Sequence, residues 1–299
     1  MSHEFPNDTE STNSFETHFV EREYIEVTGG EAEVLDIGPE KENFNIPILL
    51  APGWAGTLEL YKSAIKKLVE DNHRVVSLNH PRIGGDMEYM PTEILDGHPH
   101  EEVRKAMNLI DILDAKQIDR VDAIAHSEGA INLVIAASIY PERFRNIVLY
   151  APAGLIGEDT FSRLLIDFTK FSLNGIDADK IIIAKKALKY IAQNPVRSFK
   201  EVHNIAHSQI HPLLHYLHDK NIGVVIMAAA DDTVFPQEKM QEIVKADMID
   251  GFLSVEGDHN DTPGPKHQYM SNAITGAEEM LTKLKTKQDL EKQPRQTNL

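Results

Sequence analysis

Apolar residues along this chain recur in two alternating rhythms. Short, mostly apolar runs read as buried strands: Ile46–Ala51 (IPILLA), Arg74–Asn79 (RVVSLN), Val121–Ala125, Asn146–Tyr150, Gly223–Ala229 and Gly251–Glu256. Between them lie longer stretches with helical spacing. Leu60–Asp71 puts Ile65, Leu68 and Val69 on one face, and Glu101–Ala115 does the same with Val103, Ala106, Met107, Ile110 and Leu113. A third helix is expected from about Gly129 to Tyr140, ended by Pro141, and a last one over about Pro265–Lys285. Ahead of this alternation, Thr17–Val27 and Glu31–Ile37 read as two antiparallel strands joined through Thr28-Gly29-Gly30. Strands that alternate with helices of this length imply β-α-β units, hence an α/β fold with a mostly parallel, eight-stranded sheet flanked by helices.

One stretch departs from the alternation. Leu155–Asp219 holds no strand pattern, but helices at Thr160–Leu173, Asp179–Asn194 and Ser198–His207. It falls after the sixth strand, and its apolar stripes need cover, so residues 155–219 are expected to form a helical cap or lid. Residues 15–154 and 220–285 then make up the core. Residues 1–14 and 286–299 are polar without periodicity and read as a disordered arm and a flexible tail.

Composition narrows the function classes. Of 299 residues, 30 are Lys or Arg and 47 are Asp or Glu, a net charge of −17 that repels phosphate backbones and makes nucleic acid an unexpected partner. The absence of cysteine excludes a disulfide framework, a thiolate zinc site and a cysteine nucleophile together. No apolar run approaches the roughly 20 residues of a membrane helix, and the first sixteen residues carry no signal-like apolar region. The expectation is a soluble, cytoplasmic protein with a small-molecule substrate, no cofactor and no membrane insertion; the oligomeric state is left open.

Candidate chemistry clusters just after the strands, where ligands bind in open α/β sheets. Ala125-His126-Ser127-Glu128-Gly129 follows one strand and opens a helix, with small residues two positions either side of Ser127. Such a turn exposes Ser127 Oγ as a nucleophile, or makes Ser127 a simple helix N-cap. Asp231 and Asp232 follow Gly223–Ala229, and His259 follows Gly251–Glu256. Ser, Asp and His thus each close a different strand, in that chain order. His203, His207, His211 and His215 recur every four residues, but Pro212 interrupts their helix and no zinc-type carboxylate partner accompanies them, so no metal site is expected.

Over Phe15–Lys285 these residues resemble the α/β-hydrolase superfamily. The elbow around Ser127 is similar to its G-x-S-x-G, with Ala125 for the first glycine; Val224–Pro236 is similar to its acid-bearing strand and loop, and Gly257-Asp258-His259 to its G-x-H. Asn79–Asp86 looks like a degenerate form of the loop after its fourth strand. The resemblance implies a catalytic triad of Ser127, Asp232 and His259, with Asp231 a neighbour. It also implies an oxyanion hole made by the backbone N–H groups of Trp54 and Glu128. Ala51-Pro52-Gly53-Trp54 stands where the family usually has His-Gly, so Pro52 removes a bracing side chain while leaving the Trp54 N–H intact. The implied activity is a serine hydrolase acting on a small or medium carboxylic ester or thioester. The same triad also serves C–C hydrolases, amidases and cofactor-free perhydrolases, and a receptor with little turnover retains the fold.

Overall fold

The computed structural model describes residues 15–39, 45–81, 98–156, 163–164, 189, 191–193, 195–259, 276–277, 279 and 281–283. A short helix α1 (15–20) leads into β1 (Glu23–Val27), β2 (Gly30–Ile37) and β3 (Asn45–Ala51). A 3-10 turn (Leu58–Tyr61) runs into α2 (Lys62–Glu70), followed by β4 (His73–Asn79), α3 (His100–Ala115), β5 (Val121–His126), α4 (Glu128–Ile139) and β6 (Phe144–Tyr150). Next come α5 (Pro195–His207), α6 (His211–Asp219), β7 (Gly223–Ala229), α7 (Gln237–Ile243) and β8 (Gly251–Val255).

The eight strands form one sheet in the order β1-β2-β4-β3-β5-β6-β7-β8. β1 and β2 pair antiparallel, as do β2 and β4, and every later pairing is parallel. Alternate residues of each strand feed opposite layers. Leu49, Val76, Ala123, Ile147 and Ile226 share a core with α3, α4 and α6 on one face, and α5 packs on α3. Leu50, Val75, Ile124, Val148 and Val225 meet Phe15, Phe19, Ile65, Leu68 and Leu281 on the other. Helix α4 is buried along its length from Glu128 to Ser138, which is why it lacks an amphipathic stripe.

Two sequence expectations change here. Residues 17–20 are helical rather than the start of a strand, because Phe15 and Phe19 lie one turn apart, stack at 5.5 Å and bury their rings against the sheet. Within the expected cap, α6 packs on α4 and β7, with Leu213, Leu214 and Leu217 buried, so it completes the layer over the sheet. Pro212 sits in the first turn of α6, where its missing N–H costs nothing, and the helix break falls at 208–210. The helices expected at Thr160–Leu173 and Asp179–Asn194 lie outside the described residues except 163–164, 189 and 191–193, which are helical. The arm 1–14, the tail, residues 82–86 and most of the last expected helix also lie outside them; 276–277, 279 and 281–283 are helical.

Parallel register levels the carboxyl ends of the central strands. Ala51 pairs Ala125, His126 pairs Tyr150, Tyr150 pairs Met227, and Ala229 pairs Val255. The loops carrying Gly53, Ser127, Asp232 and His259 therefore leave the sheet side by side.

Candidate active site

Between β5 and α4 the chain turns within a single residue. Ser127 has φ 53 and ψ −122, a conformation sparsely populated by residues with a side chain and held only where its surroundings enforce it. The enforcement is visible. Ser127 N–H donates to the Tyr150 carbonyl (3.1 Å), and the Ser127 carbonyl accepts from Ala130 and Ala153 (3.0 and 3.1 Å). Ser127 caps no helix through its side chain, which leaves its hydroxyl for other work.

That hydroxyl lies 3.0 Å from His259 Nε2, and His259 Nδ1 lies 2.8 Å from Asp232 Oδ2. Asp232 accepts only, so Nδ1 carries the imidazole proton and Nε2 is left to accept from Ser127. The other Asp232 oxygen takes the N–H groups of Val234 and Phe235 at 2.8 and 2.9 Å, which fixes the carboxylate. Ser127, Asp232 and His259 are all buried. Asp231 is exposed, and its N–H bonds the Gly257 carbonyl at 2.9 Å. The structure thus brings together the three residues singled out in the sequence and separates the two aspartates.

Across from Ser127, the chain leaving β3 makes a turn closed by Gly56 N–H to the Gly53 carbonyl at 2.8 Å. Ala55, the third residue of that turn, has φ 53, as a type II turn demands. A Cβ on Gly53 would sit 3.1 Å from Ser127 Cβ, so this loop crosses directly beside the elbow. Trp54 follows Gly53, and Glu128 is the first residue of α4, where N–H groups lack intrahelical partners and the helix dipole favours an anion.

Sequence reasoning missed what joins these loops. Gly53 N–H donates to Tyr61 Oη (2.7 Å), so the Tyr61 proton is directed to His126 Nδ1 (3.0 Å). His126 Nε2–H then donates to the His259 carbonyl (2.8 Å). Tyr150 O–H donates to the adjacent Asp258 carbonyl at 2.9 Å. His126 packs against the rings of Tyr150 and His259 and also serves this relay. Burial, followed by nearby His259, pushes its pKa down to about 3, so it stays neutral. Burial likewise raises the Tyr61 hydroxyl, which remains a donor. No local signal marks Tyr61, whose partner His126 is 65 positions away. It fills the bracing role left open by Pro52.

Among the described residues no three His, Asp or Glu side chains converge as metal ligands, and His203 and His207 lie exposed on α5 with rings 4.1 Å apart. Nor, among those residues, is any helix long and apolar enough to cross a membrane. A cavity of about 700 Å³ lies among α1, β2 and α2, lined by Phe15, Asp36, Ile37 and Lys66; none of the three site residues lines it.

Comparison with known proteins agrees with the fold. A family model described as the alpha/beta hydrolase fold matches residues 46–176. No curated protein matches the chain in sequence. Among solved structures, a thermophilic esterase from Thermogutta terrifontis is 15% identical with a TM-score of 0.58, the match covering 88% of this chain and 99% of that one. A structure from Nitrososphaera gargenis, from work on its carboxylesterases, is 16% identical at a TM-score of 0.61, covering 87% and 99%. A meta-cleavage product hydrolase from Pseudomonas fluorescens is 16% identical at a TM-score of 0.59, covering 86% and 97%. At such identities the likeness speaks for the fold.

Proposed function

We propose that this chain, which has the α/β-hydrolase fold, is a serine hydrolase cleaving small or medium carboxylic esters or thioesters. The observation that carries the reading is the buried hydrogen-bond chain from Ser127 through His259 to Asp232 at the sheet's carboxyl end. In the mechanism, His259 Nε2 takes the Ser127 proton as Oγ attacks the carbonyl carbon, while Asp232 holds the tautomer and stabilises the imidazolium. The negative charge that develops on the carbonyl oxygen is received by the N–H groups of Trp54 and Glu128. His259 then protonates the leaving alkoxide or thiolate, and an acyl ester remains on Ser127. Water gives a proton to His259 and adds to that ester; the acid departs as Ser127 regains its proton.

Segment 155–219, apart from α6, is proposed to cap this site. Two contacts from opposite sides support it: Arg163 Nη2 donates to the Val234 carbonyl in the acid loop (2.9 Å), and Glu201 on α5 accepts from the Trp54 indole (2.8 Å). A C–C bond hydrolase is the second reading, because the triad serves both chemistries and a meta-cleavage product hydrolase shares the fold.

A substrate panel of p-nitrophenyl esters, acyl thioesters, amides and C–C cleavage substrates, run on wild type beside Ser127→Ala, tests the proposal. Steady ester or thioester turnover, abolished in Ser127→Ala together with fluorophosphonate labelling, is expected. Labelling that persists in Ser127→Ala would sink it, and burst without turnover would point to a binding protein.

A further inference from the structure

The two residues assigned to the oxyanion hole share an unusual feature: both have side chains fastened to one buried ion network. Glu128 Oε1 lies 2.6 Å from Lys105 Nζ on α3. The same ammonium lies 3.4 Å from Glu201 Oε1 on α5. Glu201 in turn accepts the Trp54 indole N–H through Oε2 at 2.8 Å and the Arg197 Nε–H through Oε1 at 3.0 Å. Lys105, Glu128 and Glu201 are buried. A cavity of about 60 Å³ extends from Gly53, Gly56 and Thr57 to Lys105, Glu128 and Glu201, so the network forms a wall beside the oxyanion loop.

Stability does not account for such an arrangement. Desolvating an ion pair costs about as much as its attraction returns, and an apolar replacement is often no worse. What an ion chain supplies instead is fixed geometry, since each charge has a defined place between its partners. Burial alone would lower the Lys105 pKa, but Glu128 above all, with Glu201, raises it, so the ammonium stays charged. Burial, followed by the Glu128 charge, pushes Glu102 well above the ordinary carboxyl range and favours its protonated form.

We propose that Lys105 and Glu201 are positioning residues for the oxyanion hole, holding Trp54 and Glu128 at the spacing that the developing anion requires. This rests on the serine-hydrolase reading. It makes the hole a joint product of four separate elements: the loop after β3, α3, the start of α4, and α5. A substrate that displaces α5 would therefore also loosen the hole, which ties catalysis to correct seating of the segment above it.

The test uses the full chain with Glu201→Gln, Lys105→Met, Trp54→Phe and the double variant Trp54→Phe/Glu201→Gln. Trp54→Phe removes the indole donor and keeps the backbone N–H. Misplacement by about 1 Å costs on the order of 10²-fold and loss of a donor 10²–10³-fold, so each single variant should lose about 10- to 100-fold in kcat. KM should stay within about threefold, because the ground-state carbonyl gains little from the hole. Affinity for an aryl trifluoromethyl ketone, whose Ser127 adduct places an oxyanion in the hole, should fall by the same factor as kcat. The double variant should lose little more than either single one, since both cut the same chain. Lys105→Arg should recover part of the loss.

Folded variants with unchanged kcat and ketone affinity would overturn the proposal, as would a loss confined to KM. Should Lys105→Met fail to fold, the near-isosteric Glu201→Gln decides the matter. Wild-type turnover that depends on Ser127 leaves only the positioning role on trial; its absence overturns the hydrolase reading and the inference with it.

Discussion

Gly129→Ala sets two effects of opposite sign against each other. Helix propensity alone favours alanine by at most about 1 kcal/mol at this second position of α4. Packing says the reverse. A Cβ at residue 129 would lie 2.4 Å from the Ala51 carbonyl oxygen and 2.6 Å from that of Pro52. Both are backbone atoms at the end of β3, with no rotamer to change. Ordinary carbon contacts begin near 3.5 Å, so α4 and the β3 end must separate by roughly 1 Å. Overpacking of this kind costs about 1–3 kcal/mol, and the net expectation is a loss of about 1–2 kcal/mol. The separation falls between Glu128 and the Gly53-Trp54 segment, so the two proposed oxyanion donors move apart. A displacement of that size costs about 10²-fold in kcat. Urea unfolding, alongside steady-state hydrolysis of p-nitrophenyl butyrate, measures both quantities. A variant as stable as wild type, with kcat within about threefold, would refute the argument that the elbow is packed against β3 without room for a methyl group.

Three further outcomes follow from the same geometry. Asp232→Asn should lower kcat by about 10⁴-fold, whereas Asp231→Asn should stay within about twofold, because only Asp232 touches the imidazole; equal losses in ester hydrolysis would contradict this. Ser127→Gly should be more stable than Ser127→Ala by about 1 kcal/mol in denaturant, as relief of 1–3 kcal/mol of backbone strain exceeds the 0.5–1 kcal/mol entropic cost of glycine; an Ala variant equal to or above Gly would argue against strain. His126 titrates near 3 when folded and near 6.5 when unfolded, so its contribution is complete above about pH 6.5 and is lost as pH falls toward 3, at about 1.4 kcal/mol per pH unit. Burial pushes His80 and His98 down too, so the informative quantity is the slope of stability against pH in wild type minus that in His126→Gln, expected to be close to one proton.

Much of the fold is legible because it is written locally. The sheet strands lie within two residues of their expected bounds apart from the early start at Thr17, because runs such as Ile46–Ala51 and Gly223–Ala229 can hide only in a sheet covered on both faces. Residues 17–20 depart from the expected strand because Phe15 and Phe19, one helical turn apart, stack under the sheet, a contact that only the folded chain makes. The apolar face of α6 does not say which surface it covers, so in the sequence α6 belongs with the segment before it; in the fold it contacts α4 and β7.

By itself, then, the sequence determined the alternation of strands and helices and the placement of Ser127, Asp232 and His259 directly after three strands. These follow from hydrophobic periodicity and turn chemistry, which act over a few residues. Tertiary structure decided which of two adjacent aspartates meets the imidazole, how Tyr61 and His126 join the loops around Ser127, and that Lys105, Glu128 and Glu201 are a buried network rather than solvated charges. The reason is distance along the chain: Tyr61 reaches His126 across 65 positions, and Trp54 reaches Glu201 across 147. Bonds of that span exist only after parallel register has levelled the strand ends, and no periodicity in the sequence encodes them.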